Sequence, residues 1–255
     1  MTLNVTRTTV GNAIKVLLDA GLVYEPSFDG DGENGRAGRP SVGVALNASG
    51  AYFVGLNIST SSLTAVLLDL QMAVVARFSA SVGPELDNVA AVTDRLGKLA
   101  KRAIMAAGSN RGRVRGVGVS VPGLVGRGGR IALAPFLGWR NVDLKSMLTR
   151  RLGKDANIRV CNDAVAVASA ICSAGSETEV SDLLLILISE GIGSALIRNG
   201  VVIDGFNGYA GEIGQMIMAP SLLSQQSKTF QLLAGERFFQ SSWLRIVRTS
   251  TQLPN

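Results

Sequence analysis

The stretch AYFVGLNISTSSLTAVLLDLQMAVVARFSASV, residues 51–82, decides the fold. It holds three segments rich in Val, Leu, Ala and Ile, separated by the short turn sequences STSS (59–62) and QM (71–72). Short β-rich segments alternating with turn residues are typical of antiparallel hairpins. The stretch therefore predicts a meander of three antiparallel strands.

The chain after residue 82 alternates between helical and strand patterns. Val89, Val92, Leu96, Leu99 and Ala103 form an apolar stripe at helical spacing. Because a meander followed by alternating helices and strands is typical of α/β proteins, we assign that class. The predicted elements are a helix at 85–108, a strand at 114–121, a helix at 141–153, a strand at 158–162, a helix at 163–175, a strand at 182–189 and a hairpin after it.

The chain before residue 48 has a different pattern. Residues 6–20 predict a helix, with Thr6 as its N-cap and Gly21 at its end. Two short strands, 22–25 and 41–47, flank a polar Gly-rich loop. Helix, strand, long loop and strand form the back half of a winged helix-turn-helix, so we place a domain boundary near residue 48.

Composition excludes several classes of function. The 255 residues are 47% hydrophobic and 17% charged, as in globular proteins. The absence of histidine excludes His-dependent nucleophilic catalysis and His-metal sites. Two cysteines are too few for a disulfide framework or a four-thiolate zinc site. Because the apolar runs are too short for a bilayer and no signal peptide opens the chain, we expect a cytoplasmic protein with no membrane partner.

The formal net charge of +6 is weak evidence for DNA binding. Residues 1–48 hold four basic and five acidic residues, so the basic excess lies elsewhere. We interpret the main basic run as a solvated helix face and loop. Its members are Arg95, Lys98, Lys101, Arg102, Arg111, Arg113 and Arg115.

Four motifs stand in one order along the chain. They are GRAGRPS (35–41), VGVSVPGLV (117–125), NDAVAVA (162–168) and EGIGSALI with GFNGYAGEIGQM (190–216). Together they resemble the ROK family of sugar-responsive repressors and sugar kinases, over roughly residues 4–218. The repressor branch of that family carries an N-terminal winged helix, which residues 6–47 resemble.

The resemblance implies an actin-like (ribonuclease-H-like) ATPase fold with two α/β lobes around a cleft. We therefore predict a partial winged helix-turn-helix at 1–48, an incomplete ROK-type sugar-binding domain at 49–219 and an atypical tail at 220–255. Compared with the family pattern, we expect the chain to be shortened at both ends.

The candidate sugar site combines Asn162, Asp163 and Glu212 with the turn at Pro122 and Gly123. Asp and Asn offer acceptors and donors suited to vicinal hydroxyls. The resemblance implies that Asp163 is the proton-abstracting base in the kinases and that Asn162 and Glu212 hold the sugar. Asp163 as a simple helix N-cap remains an alternative.

The candidate phosphate loops depart from the kinase pattern. Kinases with this fold carry Asp-x-Gly-Gly-Thr where this chain has Asn57, Ser59 and Thr60, and Asn57 lacks the charge that helps organise Mg²⁺. In the second loop, Glu190 precedes Gly191 and Gly193, which also fit an ordinary tight turn. We therefore expect no ATP or Mg²⁺ unless the protein is a kinase.

The structural zinc that the resemblance implies is expected to be lost. Gln215 stands where the family has histidine, and no cysteine cluster follows. Since zinc needs about four nitrogen or sulfur ligands, we predict no metal cofactor.

The candidate DNA-binding residues come from the helix and from the wing. Arg and Asn pair with guanine and adenine edges, and arginines of a wing enter the minor groove. A flexible interdomain loop is the alternative for the wing. The candidates are Thr6, Arg7, Thr8, Asn12, Lys15, Arg36 and Arg39.

The sequence thus predicts a ROK-type transcriptional regulator with a sugar effector, operator DNA as partner and a homo-oligomeric assembly. A ROK-type hexose or N-acetylhexosamine kinase with Asp163 as catalytic base is the first alternative. A non-functional fragment is the second.

Overall fold

The computed structural model describes residues 6–26, 43–173, 181–189, 191–219 and 228–230. The first described elements are helix α1 (Arg7–Asp19) and strands β1 (Val23–Tyr24) and β2 (Ala45–Leu46). Among the described residues, no helix is both long and apolar enough to cross a membrane.

Helix α1 begins and ends as its sequence predicts. The Thr6 side chain accepts a hydrogen bond from the Thr9 backbone N–H. Gly21, at φ 66°, ends the helix, and Leu22 N donates to Leu17 O. Strands β1 and β2 pair antiparallel, which confirms the two predicted short strands, each over two of the described residues. The winged helix-turn-helix as a whole stays a prediction.

The remaining elements follow in chain order. They are β3 (Tyr52–Ile58), β4 (Ser62–Asp69), β5 (Val74–Ser81), α2 (Val89–Ala106), β6 (Val114–Val121), β7 (Leu124–Val125), β8 (Ile131–Ala134), β9 (Trp139–Val142), α3 (Leu144–Leu152), β10 (Ile158–Asn162), α4 (Asp163–Ser173), β11 (Leu183–Ile188), β12 (Ile192–Arg198), β13 (Val201–Val202), β14 (Ile217–Ala219) and β15 (Lys228–Thr229). The predicted helices and strands of residues 51–202 are confirmed, with ends that differ by a few residues.

The central sheet has the order β10-β6-β3-β4-β5. The predicted meander is confirmed, since β3, β4 and β5 pair antiparallel, whereas β6 and β10 join in parallel. Helix α2 packs on β4 and β5, and α3 contacts both α2 and β10. The core between them is fully closed, with Leu63, Leu96 and Leu148 all at 0% exposure.

A small sheet of β7, β8 and β9 lies between β6 and α3 and was missed by the sequence prediction. It is antiparallel and closes around Trp139, whose indole N–H donates to Leu86 O at 2.9 Å. The segments IALA and WRNV are too short to be distinguished from a loop without knowledge of the strands that pair with them. We call residues 52–162 the sheet unit.

The hairpin unit consists of α4, strands β11 to β13 and the loop that follows, residues 163–173, 181–189 and 191–219. Helix α4 packs on one face of the β11-β12-β13 sheet. Its small core contains Ala164, Ala168, Ala195 and Ile197.

Arg127 ties the two units together. Its backbone N–H donates to Asn207 O at 3.2 Å, and its guanidinium donates to Gly205 O at 2.9 Å. Gly208 fits closely against this turn, because a Cβ on it would lie 2.8 Å from Arg127 N. We call this contact the Arg127 clasp. The Arg127 clasp is one connection between the units, and the peptide link from β10 to α4 is another.

Several members of the basic run have structural partners, in agreement with a solvated helix face and loop. Arg95 donates to the Ser81 and Val82 carbonyls. Lys98 pairs with Asp94 at 2.9 Å. Arg102 stacks over the Phe78 ring, and Arg113 donates to Ser49 O at 2.9 Å.

Candidate functional site

The parallel strand β10, the start of α4 and the loop before β14 meet at one cavity of about 510 Å³, including its open mouth. One wall is apolar and the other is polar. The lining residues are Pro122, Gly123, Leu124, Leu133, Pro135, Phe136, Asn162, Asp163, Ser189, Gly191, Ile192, Gly193, Glu212 and Gln215. The structure thus brings all five predicted sugar-site residues together.

Asn162 ends β10 and caps helix α4. Its Oδ1 accepts from Ala164 N at 2.8 Å and from Val165 N at 3.3 Å, and its Nδ2 donates to Gly123 O at 3.0 Å. The expectation that Asn162 offers an acceptor to a ligand was wrong, because backbone N–H groups occupy that oxygen. Only one amide hydrogen of Nδ2 remains for a ligand.

Asp163 is the first residue of α4, next to the capping side chain. Its Oδ1 accepts from Ala164 N at 2.9 Å. The N-cap alternative raised for Asp163 therefore describes Asn162 instead. The carboxylate of Asp163 lies at the positive N-terminal end of α4 and lines the cavity.

Gly193 allows β12 to pass close to Asp163. A Cβ on Gly193 would lie 3.3 Å from the Ala164 Cβ and 3.7 Å from Asp163 Oδ1. Gly191 accepts from Ser189 N at 2.9 Å in a tight turn. Both glycines line the cavity, so they contribute to its walls as well as to the turn. Glu190 lies outside the described residues.

Glu212 is held by a close approach of its loop to β12. Gly211 has φ 90°, and a Cβ there would lie 2.9 Å from Ser194 O. The Ser194 hydroxyl donates to Gly211 O, and Ser194 is only 6% exposed. Ser194 therefore positions the residue before Glu212 without lining the cavity.

The Glu212 carboxyl has an unusual proton affinity. Burial and, to a smaller extent, the nearby negative charge of Asp163 together raise its pKa to about 7. Two carboxyls that influence each other in this way face one cavity. Near neutral pH, Glu212 therefore exchanges between its protonated and charged forms.

The turn at Pro122 and Gly123 requires glycine. A Cβ on Gly123 would lie 2.6 Å from Leu133 O and 2.8 Å from the Ala134 Cβ. This tight contact with β8 brings Gly123 O to the amide of Asn162. The small sheet, which the sequence did not predict, thus supports the polar wall.

The first predicted phosphate loop lies outside the cavity lining. Asn57 Oδ1 accepts from Ser120 Oγ at 2.7 Å. Ser59 N donates to Ser62 O, while the Ser61 and Ser62 backbone N–H groups donate to Ser59 Oγ. A phosphate loop needs free backbone N–H groups. Three of the backbone N–H groups in this turn already donate hydrogen bonds within the turn. Thr60 belongs to the same turn. These residues do not fit an ATP phosphate site.

The predicted DNA-contact residues of α1 are exposed on its surface. Thr8, Asn12 and Lys15 share one face through their spacing of four and three residues, and Arg7 lies beside it. Thr6 is engaged as the N-cap. Arg36 and Arg39 lie outside the described residues.

The donor set does not fit the zinc site that the resemblance implies. The chain has no histidine and only two cysteines, Cys161 and Cys172. In the described part of the chain, no three His, Cys, Asp or Glu side chains come together as a metal site requires.

Sequence reasoning missed the apolar wall and the positioning serine. Leu124, Leu133, Pro135 and Phe136 come from the small sheet and its turn. Ser194 lies within the apolar strand IGSALIR, where a buried hydroxyl signals a hydrogen-bonded role. The sequence shows this buried hydroxyl, but it does not show that the hydroxyl bonds to Gly211 O.

Comparisons with known proteins agree with this architecture. The family model described as ROK family matches residues 53–228. The chain belongs to the ROK family.

Its relatives include a repressor and a kinase. The xylose repressor of Bacillus subtilis is 27% identical over 237 residues, which are 91% of this chain and 59% of that protein. A glucokinase of Halalkalibacterium halodurans is 25% identical over 173 residues, 68% of this chain and 52% of that protein. The chain thus spans only part of the length of these relatives.

A solved ROK family transcriptional regulator, a homolog of the Escherichia coli MLC protein, matches with a TM-score of 0.75 and 21% identity. The match covers 97% of this chain and 62% of that structure. Together with the strand order of the central sheet, it confirms the predicted actin-like α/β fold.

Proposed function

We propose that the protein is a sugar-responsive transcriptional regulator that binds a monosaccharide in the Asp163–Glu212 cavity and DNA through α1. The observation that carries the sugar part is the convergence of two carboxyls from separate elements on one cavity. Carboxylate oxygens accept hydrogen bonds from vicinal hydroxyls, and an apolar wall suits the C–H face of a sugar ring.

The DNA part is supported by the exposed polar face of α1 and by the repressors among the relatives. A helix of this kind reads base edges in the major groove. The binding of a sugar between the sheet unit and the hairpin unit would favour one arrangement of the units and so alter DNA affinity. We expect a cytoplasmic homo-oligomer without zinc.

A sugar kinase is the second candidate, supported by Asp163 at the start of α4 and by the glucokinase relative. The self-bonded turn at Ser59–Ser62 weighs against it, because phosphoryl transfer depends on held phosphates. Sugar-dependent ATP hydrolysis that disappears in Asp163→Asn would establish the kinase and refute the regulator as the sole function.

Calorimetry on the folded chain tests the sugar site. We expect heat of binding from at least one of xylose, glucose and N-acetylglucosamine. Asp163→Asn should weaken that binding by at least about tenfold, since it removes a charged acceptor. Asp155→Asn, an exposed acid outside the cavity, is the matched control and should bind like the wild type.

Selection from a pool of random duplex DNA tests the DNA part. Enriched sequences should be released by the sugar that binds in calorimetry. No heat from any of the three sugars, with a cooperative unfolding transition, would refute the proposed function. Enrichment that Arg7→Ala and Lys15→Ala leave intact would refute the role of α1.

A further inference from the structure

The charges around the cavity are of one sign. Among the described lining residues, Asp163 and Glu212 carry carboxyls, and no Lys or Arg is present. The other polar groups there are the amides of Asn162 and Gln215 and the hydroxyl of Ser189. Within this described lining, an anion meets two carboxyls and no lysine or arginine side chain.

The hydrogen-bonding groups of the cavity also favour a ligand that donates. Asn162 has its oxygen filled by two backbone N–H groups and keeps one amide hydrogen. The carboxyl oxygens of Asp163 and Glu212 accept from hydroxyls when charged. A phosphate ester brings only acceptors and up to two negative charges at neutral pH.

Among the described residues, a group of cations lines a different cavity. Arg127, Lys145 and Arg159 line a larger space of about 1650 Å³, including its open mouth, which shares only Asn162 with the lining of the first cavity. The Arg127 guanidinium is already bonded to Gly205 O in the Arg127 clasp. None of these three cations is among the described residues that line the cavity of Asp163 and Glu212.

We propose that the cavity selects an unphosphorylated monosaccharide and rejects the same sugar carrying a phosphate ester. The inference rests on the proposed function and narrows its effector class. The regulator then responds to a sugar before any phosphoryl-transfer step acts on it. Its effector is the substrate of a kinase-type reaction, and the product of that reaction is not recognised.

Paired titrations test the inference by calorimetry at pH 8. Each pair is a sugar and its phosphate ester: glucose and glucose 6-phosphate, N-acetylglucosamine and its 6-phosphate, and xylose and xylose 5-phosphate. The ester of any sugar that binds should bind at least about tenfold more weakly, because like charges meet in a partly buried site.

An ester that binds as well as its parent sugar, or better, overturns the inference and leaves sugar sensing intact. Failure of every sugar and every ester overturns both the inference and the proposed function. The two results are therefore distinguishable.

Variants test whether the charge of the cavity causes the weaker binding of the phosphate ester. Gln215 is exposed and lines the cavity, so Gln215→Lys adds a cation at its rim. The ratio of ester to sugar dissociation constants should fall about tenfold in Gln215→Lys, and also fall in Glu212→Gln. Gln215→Met, of similar length and uncharged, should leave the ratio unchanged. A misfolded site weakens both ligands but does not change their ratio, and an unchanged ratio in both charge variants overturns the inference.

Discussion

The sheet unit and the hairpin unit bury their apolar residues to different extents. In the sheet unit, β4 places Leu63, Ala65 and Leu67 at 0% exposure beneath α2. In the hairpin unit, α4 covers one face of β11, while Leu184, Ile186 and Ile188 on the other face are 56%, 49% and 61% exposed. The core of the hairpin unit consists largely of alanine.

The larger buried core lies in the sheet unit, whereas most of the polar site residues lie in the hairpin unit. Burial of apolar surface stabilises a fold at about 25 cal/mol per Å², so most of the stabilisation lies in the sheet unit. Asp163, Ser194 and Glu212, which build or position the polar wall, belong to the hairpin unit. The candidate site therefore depends on the less stable part of the described chain, as ligand-responsive regions often do.

The largest expected effect is a core truncation in the sheet unit. Leu63→Ala should lower the free energy of unfolding by about 3 kcal/mol, because its side chain is fully enclosed. Leu187→Ala, a half-buried residue of β11, should cost only about 1 kcal/mol. Urea titrations of both variants give the comparison, and equal losses would contradict the division between the units.

Removal of the positioning hydroxyl should have an intermediate effect. Ser194→Ala removes the hydroxyl donor to Gly211 O, which keeps the Ile213 N–H as its other donor, so we expect a loss of about 1.5 kcal/mol in unfolding free energy. Sugar binding should weaken about tenfold, because Glu212 is less well positioned. Ser181→Ala, in which an exposed hydroxyl is lost, is the control. Full sugar affinity in Ser194→Ala would show that Glu212 does not depend on this contact.

The smallest expected effect depends on pH. The folded-state pKa of Glu212 is raised from 4.5 to about 7, so the folded chain loses stability as pH rises through this interval. Glu212→Gln should therefore stabilise the fold at pH 8 by about 1 kcal/mol, a value reduced for partial solvent screening, and should have little effect at pH 4.5.

Chemical denaturation of the wild type and Glu212→Gln at both pH values measures this difference. Glu85→Gln, an exposed substitution in the sheet unit, is the matched control and should show no such dependence. A stability gain that is the same at pH 4.5 and pH 8 would rule out burial of the charge as the cause.

The sequence alone predicts those helices and strands whose residue patterns are local. The stripe of α2 and the apolar alternation of β3 and β4 each identify an element without knowledge of its neighbours. The NDA and AGEIG motifs were sufficient to bring Asp163 and Glu212 to one site through a family resemblance.

The remaining features depend on contacts between distant residues. Strands β7 to β9 are at most four residues long and are stabilised by pairing with one another. The sequence offers Asp163 as an alternative N-cap, whereas the structure uses Asn162, because either residue can cap a helix and only the backbone geometry distinguishes them. The pKa of Glu212 depends on burial and on Asp163, 49 positions away in the sequence.

The Arg127 clasp restricts how the cavity can open. The two units are joined by the peptide link from Asn162 to Asp163 and, at a second point, by the hydrogen bonds of Arg127 to Gly205 and Asn207. A body attached at two points turns only about the line through them. With both attachments intact, rotation about that single axis is the movement they permit, and Arg127→Ala would release the other directions of movement.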